Sequence, residues 1–286
     1  VPTTSAAAAL EVVAPRIDAV LEGFLADRRA EAARLDPAAT EPIEEIARLV
    51  HAGGKRLRPA FCYWGYRAAG GVEGDTIWRV AAAIELLHTM ALIHDDVIDA
   101  DDRRRGEATA QVRQTRLAAD RGQSDPDRAG LGVAIVAGDL AAAFADQVFA
   151  TAGIATDRWA AASSRFHRMR LELAAGAYLD VTGVGADART VAYLKGGAYT
   201  VEGPASIGAA VAADDPAVDR ALARYAGPLG AAFQSLDDLA DGDAPVGASR
   251  EDALAQIEEA KAALVGVADA EAAEALRSLA DLVGTL

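Results

Sequence analysis

One stretch constrains this chain more than any other: residues 85–109, ELLHTMALIHDDVIDADDRRRGEAT. Ile84, Leu87, Ala91, Val97 and Ile98 keep roughly helical spacing, which predicts a buried helix over about 76–100. Asp95, Asp96 and Asp99 stand at i, i+1 and i+4, so the carboxylates of Asp95 and Asp99 share one face, one turn apart. Asp101 and Asp102 follow, and then Arg103, Arg104 and Arg105. So many carboxylates at the end of an apolar helix repel one another. A cation relieves that repulsion, and an all-oxygen ligand set suits a hard one such as Mg²⁺. Mg²⁺ keeps several waters and shares its shell with substrate phosphates, so the neighbouring arginines point to a phosphorylated ligand.

A lone DDxxD is also what a solvated acidic turn looks like. A second copy argues against that reading. Residues 233–241, FQSLDDLAD, carry Asp237, Asp238 and Asp241 at the same spacing, again at the end of an apolar run. Two such patches facing each other across a cleft would share metals and a diphosphate.

The rest of the composition favours helix. Apolar residues make up 52 % of the 286, led by alanine and leucine, aromatics only 5 %, and few runs are rich in β-branched residues. All-α is the expected class, as one domain over 1–286 without a linker-like stretch. The formal charge of −15 disfavours nucleic acid or an anionic membrane surface as a general partner. It also makes the basic clusters at 55–58 and 103–105 stand out. A single cysteine, Cys62, allows no internal disulfide and suits a reducing, cytoplasmic setting. No signal-peptide pattern and no uninterrupted apolar run of spanning length is seen, so stable membrane insertion is not expected.

Along the chain, a first helix is expected over 5–34, with Ser5 as N-cap and Pro15 as a kink or restart. A second follows over 36–51, with Thr40 as cap and Pro42 in its first turn. Gly53 and Gly54 then break the helix, Lys55, Arg56 and Arg58 follow, and Pro59 suits the next helix start. Cations beside a helix N-terminus make an anion site. Residues 119–132 read as a polar loop, 133–152 as a helix with Gly138 and Asp139 on an alanine-rich face, and 158–181 as another, bearing a packing or surface His167. In 188–212, Gly196 and Gly197 interrupt a helical pattern at a cost of about 1 kcal/mol each, which suggests either a local break with a purpose or a plain helix boundary. Residues 216–240 lead into the second aspartate patch, and one or two amphipathic helices close the chain.

Five blocks in order, GGKRLRP (53–59), HTMALIHDDVIDADDRRRG (88–106), GD (138–139), LKGGAYTVEGP (194–204) and FQSLDDLAD (233–241), resemble the trans-isoprenyl diphosphate synthases. Those enzymes make geranyl, farnesyl, geranylgeranyl and longer diphosphates. The resemblance implies a homodimeric bundle of ten or more helices around a central cavity. It implies Mg²⁺, three ions per site, bridging an allylic diphosphate to Asp95, Asp99 and Asp237, with Asp96, Asp238 and Asp241 in support. Arg104, Lys195 and Gln234 would hold the same diphosphate and assist its departure. Isopentenyl diphosphate would sit on Lys55, Arg58, His88 and Arg105. The departing diphosphate would serve as base, leaving His94 a neighbour of the metal site.

The chain departs from the family pattern in three places. Gly196 replaces a serine or threonine, Ala177 a glutamine, and the lysine usual after the second aspartate motif is missing, the chain reading as shortened near 245–246. For product length, Met90 and Ala91 lie about one turn before Asp95. With about 5.4 Å per turn, one isoprene unit per turn, a flexible and a small residue there favour about twenty carbons. The same residues admit two other readings. A class I terpene cyclase would not need the Lys55–Arg58 site or a DDLAD, and a catalytically impaired regulatory subunit would not need six metal-site aspartates.

Overall fold

Asp75–Ile98 is one unbroken helix, α5, ending where the aspartates begin to crowd. The computed structural model describes residues 5–185, 187, 190–191, 193–213, 215–241 and 249–285, without the side chains of Asp238 and Asp241. The junction at 245–246 lies outside the described residues. Regular structure among the described residues is helical apart from one two-stranded hairpin. The chain divides into two compact units: a terminal unit (Val1–Pro15, Arg56–Ala81, Ala152–Leu286) and a middle unit (Arg16–Lys55, Ala82–Thr151).

The terminal unit contains α1 (Ala6–Glu11), α4 (Leu57–Ala68), α8 (Thr156–Thr182), α9 (Gly203–Ala212), α10 (Pro216–Asp241), α11 (Arg250–Ala263) and α12 (Ala270–Val283). Ser5 caps α1 by accepting from the Ala8 amide at 3.2 Å. The Trp64 indole donates to the Ala9 carbonyl at 3.0 Å and fastens α1 to α4. Glycines bring α4 and α9 together. A Cβ on Gly208 would lie 1.9 Å from the Cys62 carbonyl oxygen, and one on Gly65 would lie 2.3 Å from that of Ala205. No side chain fits at either crossing. Gly208→Ala is therefore expected to cost about 1–3 kcal/mol by forcing the helices apart. A urea midpoint unchanged from wild type would refute this crossing. The Tyr225 hydroxyl donates to the Leu276 carbonyl at 2.7 Å inside the core, and burial pushes its phenol well above the usual value. Arg165 clamps the Asp219 carboxylate through two bonds of 2.9 and 2.6 Å and also reaches the Ser206 carbonyl, binding α8 to α9 and α10.

Between α8 and α9, residues Tyr193–Glu202 form a π-helix. This is the break expected at Gly196 and Gly197. Its cause is a close approach: a Cβ on Gly197 would lie 2.8 Å from the Gly230 backbone, and one on Gly230 would lie 2.5 Å from Gly197. Helix α10 can reach the π segment only where both residues lack side chains.

The middle unit contains α2 (Ala14–Leu35, from Arg16 on), a 3-10 turn (Pro37–Thr40), α3 (Glu41–His51), most of α5, strands β1 (Arg103–Arg104) and β2 (Glu107–Ala108), α6 (Ala110–Asp120) and α7 (Pro126–Ala150). The chain breaks before Ala14, so Pro15 falls in the first turn of α2 as a restart. Two expectations need correction. Thr40 does not cap α3, because its hydroxyl donates to the Pro37 carbonyl; Asp36 caps the preceding turn instead. The loop expected over 119–132 is confined to the residues between α6 and α7. Asp125 accepts from the Arg128 amide at 3.1 Å and Pro126 opens α7, a capped start ahead of position 133.

Helices α5 and α7 are each long and apolar enough to cross a membrane, and 67 % of the apolar window of α5 is buried, against 44 % in α7. Glu85 is buried within α5 at 5 % exposure, and Asp139 and Asp146 interrupt α7. Phe24 of α2 meets Phe144 of α7 edge to face at 5.3 Å.

Candidate active site

In the middle unit, the end of α5 explains how the first aspartate motif is presented. The Asp99 amide donates to the Asp95 carbonyl at 2.8 Å, and the Asp101 amide reaches back to Asp96 at 2.9 Å. With Ala100 at φ +55°, this is a Schellman stop with alanine in the position that glycine favours. Asp95 is half-buried, Asp99 is exposed, and Asp96 is buried. Arg104 Nε donates to Asp96 Oδ1 at 2.5 Å, and its Nη2 lies 3.7 Å from Asp101. Burial raises the Asp96 carboxyl above its ordinary range, with Arg104 opposing that shift. Asp96 is thus an internal counter-ion, while Asp95 and Asp99 reach solvent from one face.

The three arginines become a hairpin because the turn residues Arg105 (φ +53°) and Gly106 (φ +83°) are both left-handed, the geometry of a two-residue type I′ connection. Arg103 pairs with Ala108 across the strands, and Arg104 with Glu107. The Arg105 guanidinium reaches the glycine turn at 53–54, lying 3.1 Å from where a Cβ on Gly54 would be. Two of the basic segments picked out in the sequence therefore meet, beside exposed Lys55. Along α5, His88 and Met90 are half-buried and Ala91 is buried at 6 % exposure. The space at Gly138 holds the His94 ring, whose Nε2 would be 2.1 Å from a Cβ there.

In the terminal unit, Arg58 donates to Thr200 Oγ1 at 2.8 Å and stacks 4.6 Å above the Tyr199 ring, so the π segment holds its guanidinium. Lys195 meets Asp180 at 2.5 Å. Asp180 is the residue that the sequence reading passed over. It lies one turn after Ala177 on α8, which approaches the π segment through Gly176, 3.1 Å from the Lys195 backbone if it bore a Cβ. The only trace in the sequence is a carboxylate three residues after a position that is usually polar. Gly196 has a visible consequence. Gln234 Oε1 would lie 2.2 Å from a Cβ at 196, so the carboxamide fills the space that a larger residue would occupy. Asp237 is exposed near the end of α10; the side chains of Asp238 and Asp241 lie outside the described residues.

The donor chemistry fits Mg²⁺. Asp95, Asp99 and Asp237 offer hard carboxylate oxygens that reach solvent. Among the described residues no three acidic, histidine or cysteine side chains converge into a ready-made cage.

Comparison with known proteins identifies the family. The polyprenyl synthetase family model matches residues 40–285. A geranylgeranyl diphosphate synthase of Mycobacterium tuberculosis is 36 % identical over 193 residues, 65 % of this chain and 50 % of that protein. The large subunit 1 of a heterodimeric chloroplast geranylgeranyl pyrophosphate synthase of Arabidopsis thaliana is 33 % identical over 66 % of this chain and 51 % of its own length. The chain spans about half the length of these curated relatives. A geranylgeranyl pyrophosphate synthase from Corynebacterium glutamicum, solved with isoprenyl diphosphate and magnesium, superposes with a TM-score of 0.84 at 25 % identity, covering 96 % of this chain and 98 % of that one. The all-α fold is the isoprenoid synthase fold, and the chain belongs to the polyprenyl synthetase family.

Proposed function

We propose that the protein is a Mg²⁺-dependent prenyltransferase that condenses isopentenyl diphosphate with an allylic diphosphate, head to tail, into a linear trans-prenyl diphosphate of about twenty carbons. The observation that carries this is in the middle unit. It holds both a pair of solvent-reaching carboxylates at one helix end and an arginine folded onto a glycine turn beside a lysine. An enzyme that joins two diphosphate substrates needs both features, and a terpene cyclase, which takes one, needs only the first.

In this reading, as the family resemblance implies, Asp95, Asp99 and Asp237 would hold the metal, which would supply positive charge to neutralise the departing diphosphate. Arg105 and Lys55 bind the diphosphate of isopentenyl diphosphate, with His88 and Arg58 in the roles that the family resemblance implies. Lys195 and Gln234 bind the leaving diphosphate. Lys195 exchanges Asp180 for the substrate, and Arg104 acts through Asp96 as well as by its charge. The double bond of isopentenyl diphosphate then attacks the allylic carbon. Loss of a proton to the released diphosphate restores an alkene. A homodimer acting in the cytoplasm, with three metal ions per site, belongs to the same proposal. The fold family and the single buried Cys62 support it.

Incubation with isopentenyl diphosphate, Mg²⁺ and each of dimethylallyl, geranyl and farnesyl diphosphate, followed by separation by carbon number, tests the reading. A ladder ending in one linear diphosphate is expected; no product from any primer would overturn it. The floor of the product site gives a second expectation. Ala91→Phe, on the turn before Asp95, should shorten the main product by about one five-carbon unit, since one turn of about 5.4 Å matches one isoprene unit. An unchanged product distribution from the folded variant would remove Ala91 from the floor.

A further inference from the structure

The metal end of α5 and the arginine hairpin are held together by α6, and two residues at its start make the join. The Gln111 carboxamide donates 3.1 Å bonds to two carbonyls at once, those of Asp96 and Asp101. Thr109 adds a hydroxyl bond of 2.8 Å to the Asp101 carbonyl and an amide bond of 3.1 Å to that of Asp102. The Asp96 carbonyl, in the last turn of α5, already accepts from the Asp101 amide at 2.9 Å, so Gln111 adds a second bond to it. One side chain thus ties the end of α5 to the segment that returns to Arg103.

We propose that Gln111 is a positioning residue for the metal- and diphosphate-binding end of α5, setting the spacing between the Asp95–Asp99 carboxylates and the Arg104–Arg105 cations. The proposal rests on the prenyltransferase reading given above. The geometry explains why one amide has this leverage. The left-handed Ala100 and Arg105 are both unfavourable for residues with a Cβ, and they flank the segment that Gln111 and Thr109 grip. Without the grip the segment relaxes toward commoner backbone angles, and the two charged groups lose their fixed separation. Groups that orient metal ligands from behind typically change metal affinity by about 10–100-fold when removed.

The test compares Gln111→Ala with Gln114→Ala. Gln114 lies on the same helix and donates 2.9 Å to buried Glu45, away from the aspartates, so its loss costs stability without touching the grip. Two readouts are needed: the Mg²⁺ concentration giving half-maximal rate, and calorimetric binding of inorganic diphosphate in Mg²⁺, which requires no turnover. For Gln111→Ala, half-saturation by Mg²⁺ should rise about tenfold and diphosphate binding should weaken in parallel, with both near wild type in Gln114→Ala. Gln111→Glu keeps the length of the side chain but sets a carboxylate against two carbonyls, and should match the alanine variant or fall below it. If both alanine variants lose stability alike and neither shifts Mg²⁺ dependence or diphosphate binding, Gln111 is a structural residue and the proposal fails. If wild type makes no prenyl product yet binds diphosphate in Mg²⁺, the prenyltransferase reading fails, and the calorimetry still decides the role of Gln111.

Discussion

Asp95→Asn should lower kcat/KM for the allylic substrate by about 10²–10³-fold, the usual effect of removing one preorganised stabiliser of charge in the transition state. Asparagine has nearly the same shape but no charge, so it cannot offset a cation. Its amide oxygen, being neutral, is also a weaker ligand for a divalent ion than a carboxylate oxygen. Asp95 is half-buried at the last turn of α5, one turn before exposed Asp99, and this pair forms the solvent-reaching face of the motif. Asp96→Asn supplies the contrast. Its carboxylate is buried against Arg104, so its loss should act first on stability and on the position of Arg104. Steady-state rates across a Mg²⁺ titration separate the two. Asp95→Asn should stay slow at saturating Mg²⁺, and a rate restored to within threefold by metal alone would show that Asp95 is not a ligand that matters in the transition state.

Much of this was legible in the chain, because the motifs are short-range and helical spacing aligns them. Asp95 and Asp99 share a face as their spacing required, and the breaks at Pro15, Gly53–Gly54 and Gly196–Gly197 occur where the residues announced them. Pairings between segments were not legible. The polar, glycine-bearing 119–132 reads as a loop, yet Gly130 belongs to α7 and packs on α6, where a Cβ would lie 2.2 Å from Thr115 Oγ1. That glycine serves a helix contact, which composition cannot distinguish from a turn. Likewise, the cluster DDVIDADD gives no sign that Asp96 turns inward to Arg104 while its neighbours stay outward. That choice is made by the type I′ turn at Arg105–Gly106, which folds Arg104 back over the helix end. Asp180 was missed for the same reason, since its partner is fifteen residues away on a π-helix.

The largest effect on stability is expected at a residue with no part in the chemistry. Glu45 is 3 % exposed, accepts from Gln114 at 2.9 Å and is ion-paired with Arg113, which also donates to the Ala108 carbonyl at the base of the hairpin. On a helical wheel, Ile43, Ile46, Ala47 and Val50 define the apolar face of α3, and Glu45 falls opposite it. Amphipathic spacing alone would leave Glu45 in water, as it does the neighbouring Glu44, which pairs with Arg29 with both side chains more than two-fifths exposed. Helix α6 covers Glu45, so α3 is buried on two sides. Removing one partner from a buried ion pair leaves the other charge uncompensated, and Glu45→Ala should cost about 3–5 kcal/mol. The lower end is expected, because the Arg113 side chain keeps 21 % of its surface in contact with water. Glu45→Gln preserves the acceptor for Gln114 and should be milder. The decisive measurement is a double-mutant cycle by urea unfolding: Glu45→Ala and Arg113→Ala together should cost clearly less than the sum of the single changes. Strict additivity would mean that Glu45 and Arg113 contribute nothing as a pair.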